Sequence, residues 1–171
     1  MTVPATAQSR WFTASLVRHL RDQLPDVALA IGPLTTPPAS LPALVVQQQR
    51  TQAQEFLGAR TDPTMGQRGC LLTVHHWVAA IDQPTAYHAA PGTLLDRLRV
   101  ALAVGEIPWE SEEEPGTVVQ EGALAVTVVE GLAVPEPADH PGRILAAQGW
   151  SYRTLQVSVA GFLRWTVEVT P

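Results

Sequence analysis

The stretch "GCLLTVHHWVAA", residues 69–80, sets two histidines side by side in an otherwise apolar run. Its reading decides the fold. Successive side chains of a β-strand point to opposite faces. On that alternation Cys70, Leu72, Val74, His76 and Val78 share one face, and Thr73, His75 and Trp77 share the other. The first set is the more apolar, so the stretch reads as a strand with one face against a core. Neighbouring histidines on such a strand diverge and cannot grip one ion. A metal would have to recruit His19, His88, His140 or a carboxylate from elsewhere, and no H-x-H, HExxH or CxxC spacing exists. The pair is therefore expected to be sheet-face or interface histidines. Cys70, opening the strand in the apolar register, is expected to be a small buried hydrophobe rather than a thiolate nucleophile.

The same alternation returns at the end of the chain. From Leu155 to Val169 the odd positions are Leu, Val, Val, Gly, Leu, Trp, Val and Val, while the even positions are mostly polar. This predicts a long strand with one buried face, Trp165 in the core, and a bulge or bend at Ala160-Gly161. Further strands are expected at Val27–Ile31, Ala43–Thr51 and Ala123–Glu130.

Two helices show a different period. Phe12, Leu16, Leu20 and Leu24 recur every fourth residue before Pro25, an amphipathic stripe with Arg18, Arg21 and Asp22 opposite. In "TLLDRLRVALAV" the leucines at 94, 95, 98 and 102 lie on one side, and Thr93 and Asp96 sit at capping-box spacing. Between these elements, "GPLTTPPASLP" (32–42) is a stiff extended connection, and 52–69 is a long polar loop or hairpin extension. "GEIPWESEEEPG" reads as an acidic turn, and one helical turn is expected near 144–147 in a second Pro-rich connection. The order is α-β-β-β-α-β-β: an α+β two-layer sandwich, a mostly antiparallel sheet of about five strands with two helices packed beside it. Residues 1–171 form one domain on this reading.

Composition narrows the function. Apolar residues make up 46% and charged residues 16%, the balance of a folded chain. Net charge is −5, and all eleven basic residues are arginine, with no Lys or Asn anywhere. The absence of two A-rich-codon residues points to a GC-rich genome. An acidic chain without a basic run is poorly made to hold phosphate backbones, so specific nucleic-acid binding is not expected. No apolar run reaches the roughly 18 residues of a membrane span, and "MTVPATAQSRW" has no secretory-signal pattern. One cysteine forms no internal disulfide.

Motifs for chemistry are absent as well. There is no G-x-S-x-G elbow, no G-x-G-x-x-G and no GxxxxGK[ST]. The acids of "WESEEEPG" fit neither a calcium loop nor a placed acid/base pair. Five tryptophans are many for this length. Trp11, Trp109 and Trp150 are hard to bury in one small domain, and aromatics favour interface centres. No catalytic residue, metal or cofactor is expected.

Taken in order, "SLVRHLRDQLPDVALAIG", "LPALVVQQQ", the long loop, "GCLLTVHHWVAA", "LLDRLRVALA" and a close ending "LRWTVEVTP" resemble the tail terminator (tail completion) proteins of long-tailed bacteriophages, the lambda-like minor tail proteins. The resemblance covers nearly the whole chain in element order and carries no catalytic signature. It implies a homohexameric ring in the virion tail, assembled in the host cytoplasm. Such a ring ends tube polymerisation and docks the tail tube protein to the head-tail connector or neck protein. It also implies a lumen that passes DNA without specific binding. A neck or head-closure protein, or a small partner-binding α+β domain, is the alternative. Ring closure needs heterologous contacts, for which strand edges and the long loop are natural devices. Gln47, Gln48, Gln49 and Arg50, with Glu55, Phe56, Arg60 and Arg68 from the loop, are the expected interface, joined by Trp11 and Trp109. Glu112, Glu113 and Glu114 are expected to line an acidic lumen.

Overall fold

A computed structural model describes residues 5–32, 38–57, 65–82, 93–114, 117–129 and 151–168. The elements are α1 (Ala5–Gln23), β1 (Ala28–Ile31), β2 (Ala43–Leu57), β3 (Met65–Asp82), α2 (Leu94–Leu102), β4 (Glu106–Glu114), β5 (Thr117–Val129) and β6 (Ser151–Glu168). They form an α+β fold with both helices beside one curled sheet of order β1-β2-β3-β6-β5-β4. β1 runs parallel to β2, and every other pairing is antiparallel. The sheet has six strands where about five were expected. The extra one is β4, in the stretch read as an acidic turn.

The central histidine strand alternates as its sequence dictates. Cys70, Leu72, Val74, His76, Val78 and Ala80 are buried beneath the helices. Their cross-strand partners are Leu44 and Val46 on β2 and Leu155, Val157, Val159 and Leu163 on β6, buried in the same layer. The stripe Phe12, Leu16 and Leu20 of α1, continued by Leu24 just past its end, closes this core from above. Leu94, Leu98, Ala101 and Leu102 of α2 extend it. Thr93 caps α2 by accepting the Asp96 backbone N–H at 3.3 Å, the expected start signal.

α1 buries more than its leucine stripe because the sheet wraps it on two sides. The ladder between β5 and β6 ends at Ala125 and Ala160, while β5 and β4 continue together as a hairpin toward the helix. There the hydroxyl of Ser15 donates to the Glu110 carbonyl at 3.3 Å and accepts the Glu110 N–H at 3.1 Å. That N–H lies where the β4–β5 register shifts between Trp109 and Glu110, so a helix hydroxyl stands in for a strand neighbour. Arg18 forms an ion pair with Glu110. The ring of Trp109 meets Phe12 edge-on, with centroids 5.5 Å apart.

The bulge expected at Ala160-Gly161 is not there: β3 and β6 pair in unbroken register through Leu72↔Gly161 and Thr73↔Ala160. Gly161 serves close approach instead. A Cβ on it would stand 2.5 Å from Leu124 Cδ2 and 2.8 Å from Phe12 Cζ. The absent side chain is what lets α1 and the hairpin meet over β6.

The region 52–69 is a hairpin extension. β2 runs to Leu57 and β3 begins at Met65, so Cys70 lies well inside its strand. β6 accompanies β3 as far as the Met65↔Glu168 pair. A three-stranded arm of β2, β3 and β6 thus projects past the helix-covered core. The strand expected at 123–130 likewise begins earlier, at Thr117. The helical turn expected near 144–147 and the side chain of Trp165 lie outside the described residues.

Candidate assembly surface

The two histidines fall into two different environments. His76 is completely buried. Its Nε2 lies 2.8 Å from the Thr13 hydroxyl of α1, and Thr13 donates to Gln48 Oε1 at 3.3 Å. Which partner donates at the Nε2–Thr13 contact depends on the imidazole tautomer. Burial pushes the His76 pKa down to about 4, against weaker support from the Val157 and Val74 backbone and with the His75 charge acting in the same sense as burial. The ring is neutral near pH 7 and pins the helix to the sheet.

His75 stands half-buried on the opposite face, the one on which Val45 and Ile81 form a second, smaller apolar cluster. Its Nδ1 accepts from Ser158 at 2.8 Å, and its Nε2 donates to Gln52 Oε1 at 3.1 Å. Partial burial and then the nearby Arg50 charge lower its pKa. Ser158, His75 and Arg50 are cross-strand neighbours in one row of the sheet. The row is a polar ladder on the face turned away from α1. Adjacent strand positions therefore do different jobs, one locking the core and one dressing the outside.

The remaining expected residues scatter. Gln47 is half-buried opposite Trp77, and Gln48, Gln49 and Arg50 are exposed at a register shift of β2. Gln48 also donates to Thr51 at 3.1 Å. Glu55, Phe56 and Arg68 belong to the arm by their backbone positions, with Glu55 opposite Cys70 and Arg68 opposite Leu57. Their side chains, and Arg60 altogether, lie outside the described residues. Trp11 is half-buried with the Arg10 guanidinium over its ring at 5.3 Å. Trp109 packs on the core, although its indole N–H finds no partner among the described residues. Glu112, Glu113 and Glu114 stand on β4, a strand at the sheet's outer edge, rather than in a turn. Trp150, His88 and His140 lie outside the described residues.

Chemistry-bearing groups do not converge among the described residues. No group of three or more His, Cys, Asp or Glu could hold a metal ion there, and Cys70 is buried. No described helix is long and apolar enough to cross a membrane. A depression of about 420 Å³ lies under the end of α2, lined by Arg99, Leu102, Ala103, Gly105 and residues 126–128.

The feature that stands out is the arm. β1 covers β2 only from Ala43 to Val46, and β5 covers β6 only from Gln156 to Ala160. Beyond those points neither outer edge of the arm is paired with a described strand. Thr13, Ser158 and the β6 edge were not singled out from sequence. The first two depend on contacts across strands that no local pattern encodes, whereas the length of the Leu155–Val169 alternation already hinted at the third. No protein-family model matches the chain, and no curated protein matches its sequence.

Proposed function

We propose that the protein is a structural component of a long-tailed bacteriophage tail, a ring that caps the tail tube, ends its polymerisation and docks it to the head-tail connector. It works through shape and self-association, with no cofactor and no catalytic step. The observation that carries this reading is the three-stranded arm, whose outer edges are paired with no described strand beyond Val46 on β2 and Ala160 on β6. A long open edge is an aggregation hazard unless a partner covers it. A closed ring of identical copies covers every such edge at once. The acidic run on β4 would face the DNA path and repel its phosphates. The remaining support is the sequence's order of elements, which resembles that of tail terminator proteins; the resemblance also supplies the number six.

The test is the mass of the purified protein by light scattering across a concentration series, with negative-stain imaging of the same fractions. Annular particles near six protomers are the expected result. A strict monomer at the highest concentration, with no rings when tail tubes are added, would rule the reading out.

A further inference from the structure

We infer that copies of this chain join head to tail through the arm, the β2 edge of one copy pairing in parallel with the β6 edge of the next. This rests on the ring reading for its symmetry, and adds the second edge and the direction.

The argument begins with which backbone groups point outward. In an antiparallel ladder, hydrogen-bonding direction alternates along a strand. The Val46 carbonyl faces β1, since it accepts the Gly32 N–H at 2.9 Å. Alternation from Val46, carried through the register shift between Gln48 and Arg50, sends the backbone groups of Thr51, Ala53, Glu55 and Leu57 outward. On β6 the Ala160 groups face β5, so those of Arg164, Thr166 and Glu168 face the same side, beyond the end of β5. Each end of the arm thus offers a run of outward donors and acceptors of similar length. Neither run contains Pro or Lys, two residues that commonly blunt an exposed edge.

Direction selects the partner. β2 and β6 are both antiparallel to β3, so they run parallel to each other. A rotation about an axis along the strands brings the β6 edge of one copy against the β2 edge of the next, both still pointing the same way. Repeating that operation closes a ring. A two-fold dimer would instead set β2 against β2, or β6 against β6, antiparallel, and would stop at two. Strand addition of this kind takes its affinity from main-chain hydrogen bonds.

Cysteine cross-linking separates these arrangements. Gln52 or Gln54 on β2 and Arg164 or Thr166 on β6 occupy alternate positions of the same sheet face. Four double variants pair Gln52→Cys or Gln54→Cys with Arg164→Cys or Thr166→Cys, and buried Cys70 stays in place as an internal control. On mild oxidation at least one double variant should give a reductant-sensitive ladder rising past dimer, while the single variants stay at protomer mass. Ala53→Pro removes one outward N–H and leaves the β2–β3 ladder intact, so it should fold and drop the scattering mass to one protomer.

Single variants that form dimers would overturn the inference in favour of a two-fold contact. Six-protomer particles that no double variant cross-links, and that survive Ala53→Pro, would also overturn it while leaving the ring reading standing. A protomer that never associates would remove both.

Discussion

β3 and β6 are paired along their whole length, yet the two halves of that pair have opposite surroundings. Next to α1 and α2, Leu72, Val74, His76 and Val78 face Val157, Val159 and Gly161 in a dry layer roofed by Phe12 and Leu16. Toward Met65 and Glu168 the same strands run on as an arm past the buried pair Cys70 and Leu163, while on the face turned away from the helices Leu71 and Phe162 are 40% and 38% exposed. Hydrogen bonding is the same in both halves; the apolar burial among the described side chains lies in the first, ending at Cys70 and Leu163. Burial is the larger contribution to stability, so the covered half holds the fold while the arm is available for association. Substitutions that unfold the protein should cluster in the first half, and those that prevent assembly without unfolding should cluster in the second.

Phe12→Ala should separate the halves most sharply. Phe12 is fully buried, packs against Trp109 and lies over Gly161. Truncating such a residue removes about 3–5 kcal/mol. Urea or guanidinium unfolding followed by tryptophan fluorescence should show the midpoint fall by that amount. A loss below about 1 kcal/mol would mean that α1 is not the roof of the core.

The next largest effect is acid sensitivity seated in His76. Its folded pKa is about 4, below the ordinary value of 6.5. The unfolded chain therefore binds the proton first, and stability present above pH 6.5 is lost as pH falls toward 4. The linkage is about 3 kcal/mol across that window. His76→Leu removes it, so the stability difference between parent and variant should shift by that amount between pH 7 and pH 4, in the variant's favour at low pH. Hydrogen exchange at pH 5 should show α1 loosening before the β2–β3 ladder. A difference that does not change with pH would mean that His76 titrates in the folded protein as it does in the unfolded chain.

Gly161→Ala tests how closely the helix approaches the sheet. The new methyl group would meet Phe12 and Leu124 at less than contact distance. Overpacking costs about 1–3 kcal/mol. Pairing it with Phe12→Leu, which frees ring volume, should recover part of the loss; full additivity of the two would place the clash elsewhere.

These contrasts explain which parts of the molecule were legible in its sequence. The covered half was, because burial on one face writes a period: two for Cys70 to Val78 and Leu155 to Leu163, about four for Phe12 to Leu24. The arm was legible only as a loop or hairpin extension over 52–69, because "QQQRTQAQEF" keeps no contrast between its faces. β4 was missed for a related reason. In "EIPWESEEE" Ile107 is buried in the core while Trp109 and Glu110 meet α1, and the strand is held by its ladder to β5 and by Ser15. Trp109 was read as interface material because a turn would have left it exposed, and the added strand moves it onto Phe12. Within the candidate surface, Gln48 to Arg50 and the hairpin could be named, since polar sequence at a strand end is visible. The β6 edge could not, since sequence does not tell where β5 stops.

The smallest expected effect lies on the arm side of the comparison. Gln52→Ala takes away an acceptor from an exposed ladder whose other bond, Ser158 to His75, remains. The freed Nε2–H turns to water, so no buried group is stranded, and surface changes of this kind stay within about 0.5 kcal/mol. Unfolding of the isolated protomer should therefore match the parent within that margin. In an assembled ring Gln52 would stand beside the neighbouring copy, and the same substitution should shift the association midpoint measured by light scattering. A clear loss of protomer stability would instead mean that the arm contributes to the fold, and the division between a holding half and an associating half would fail at its weakest joint.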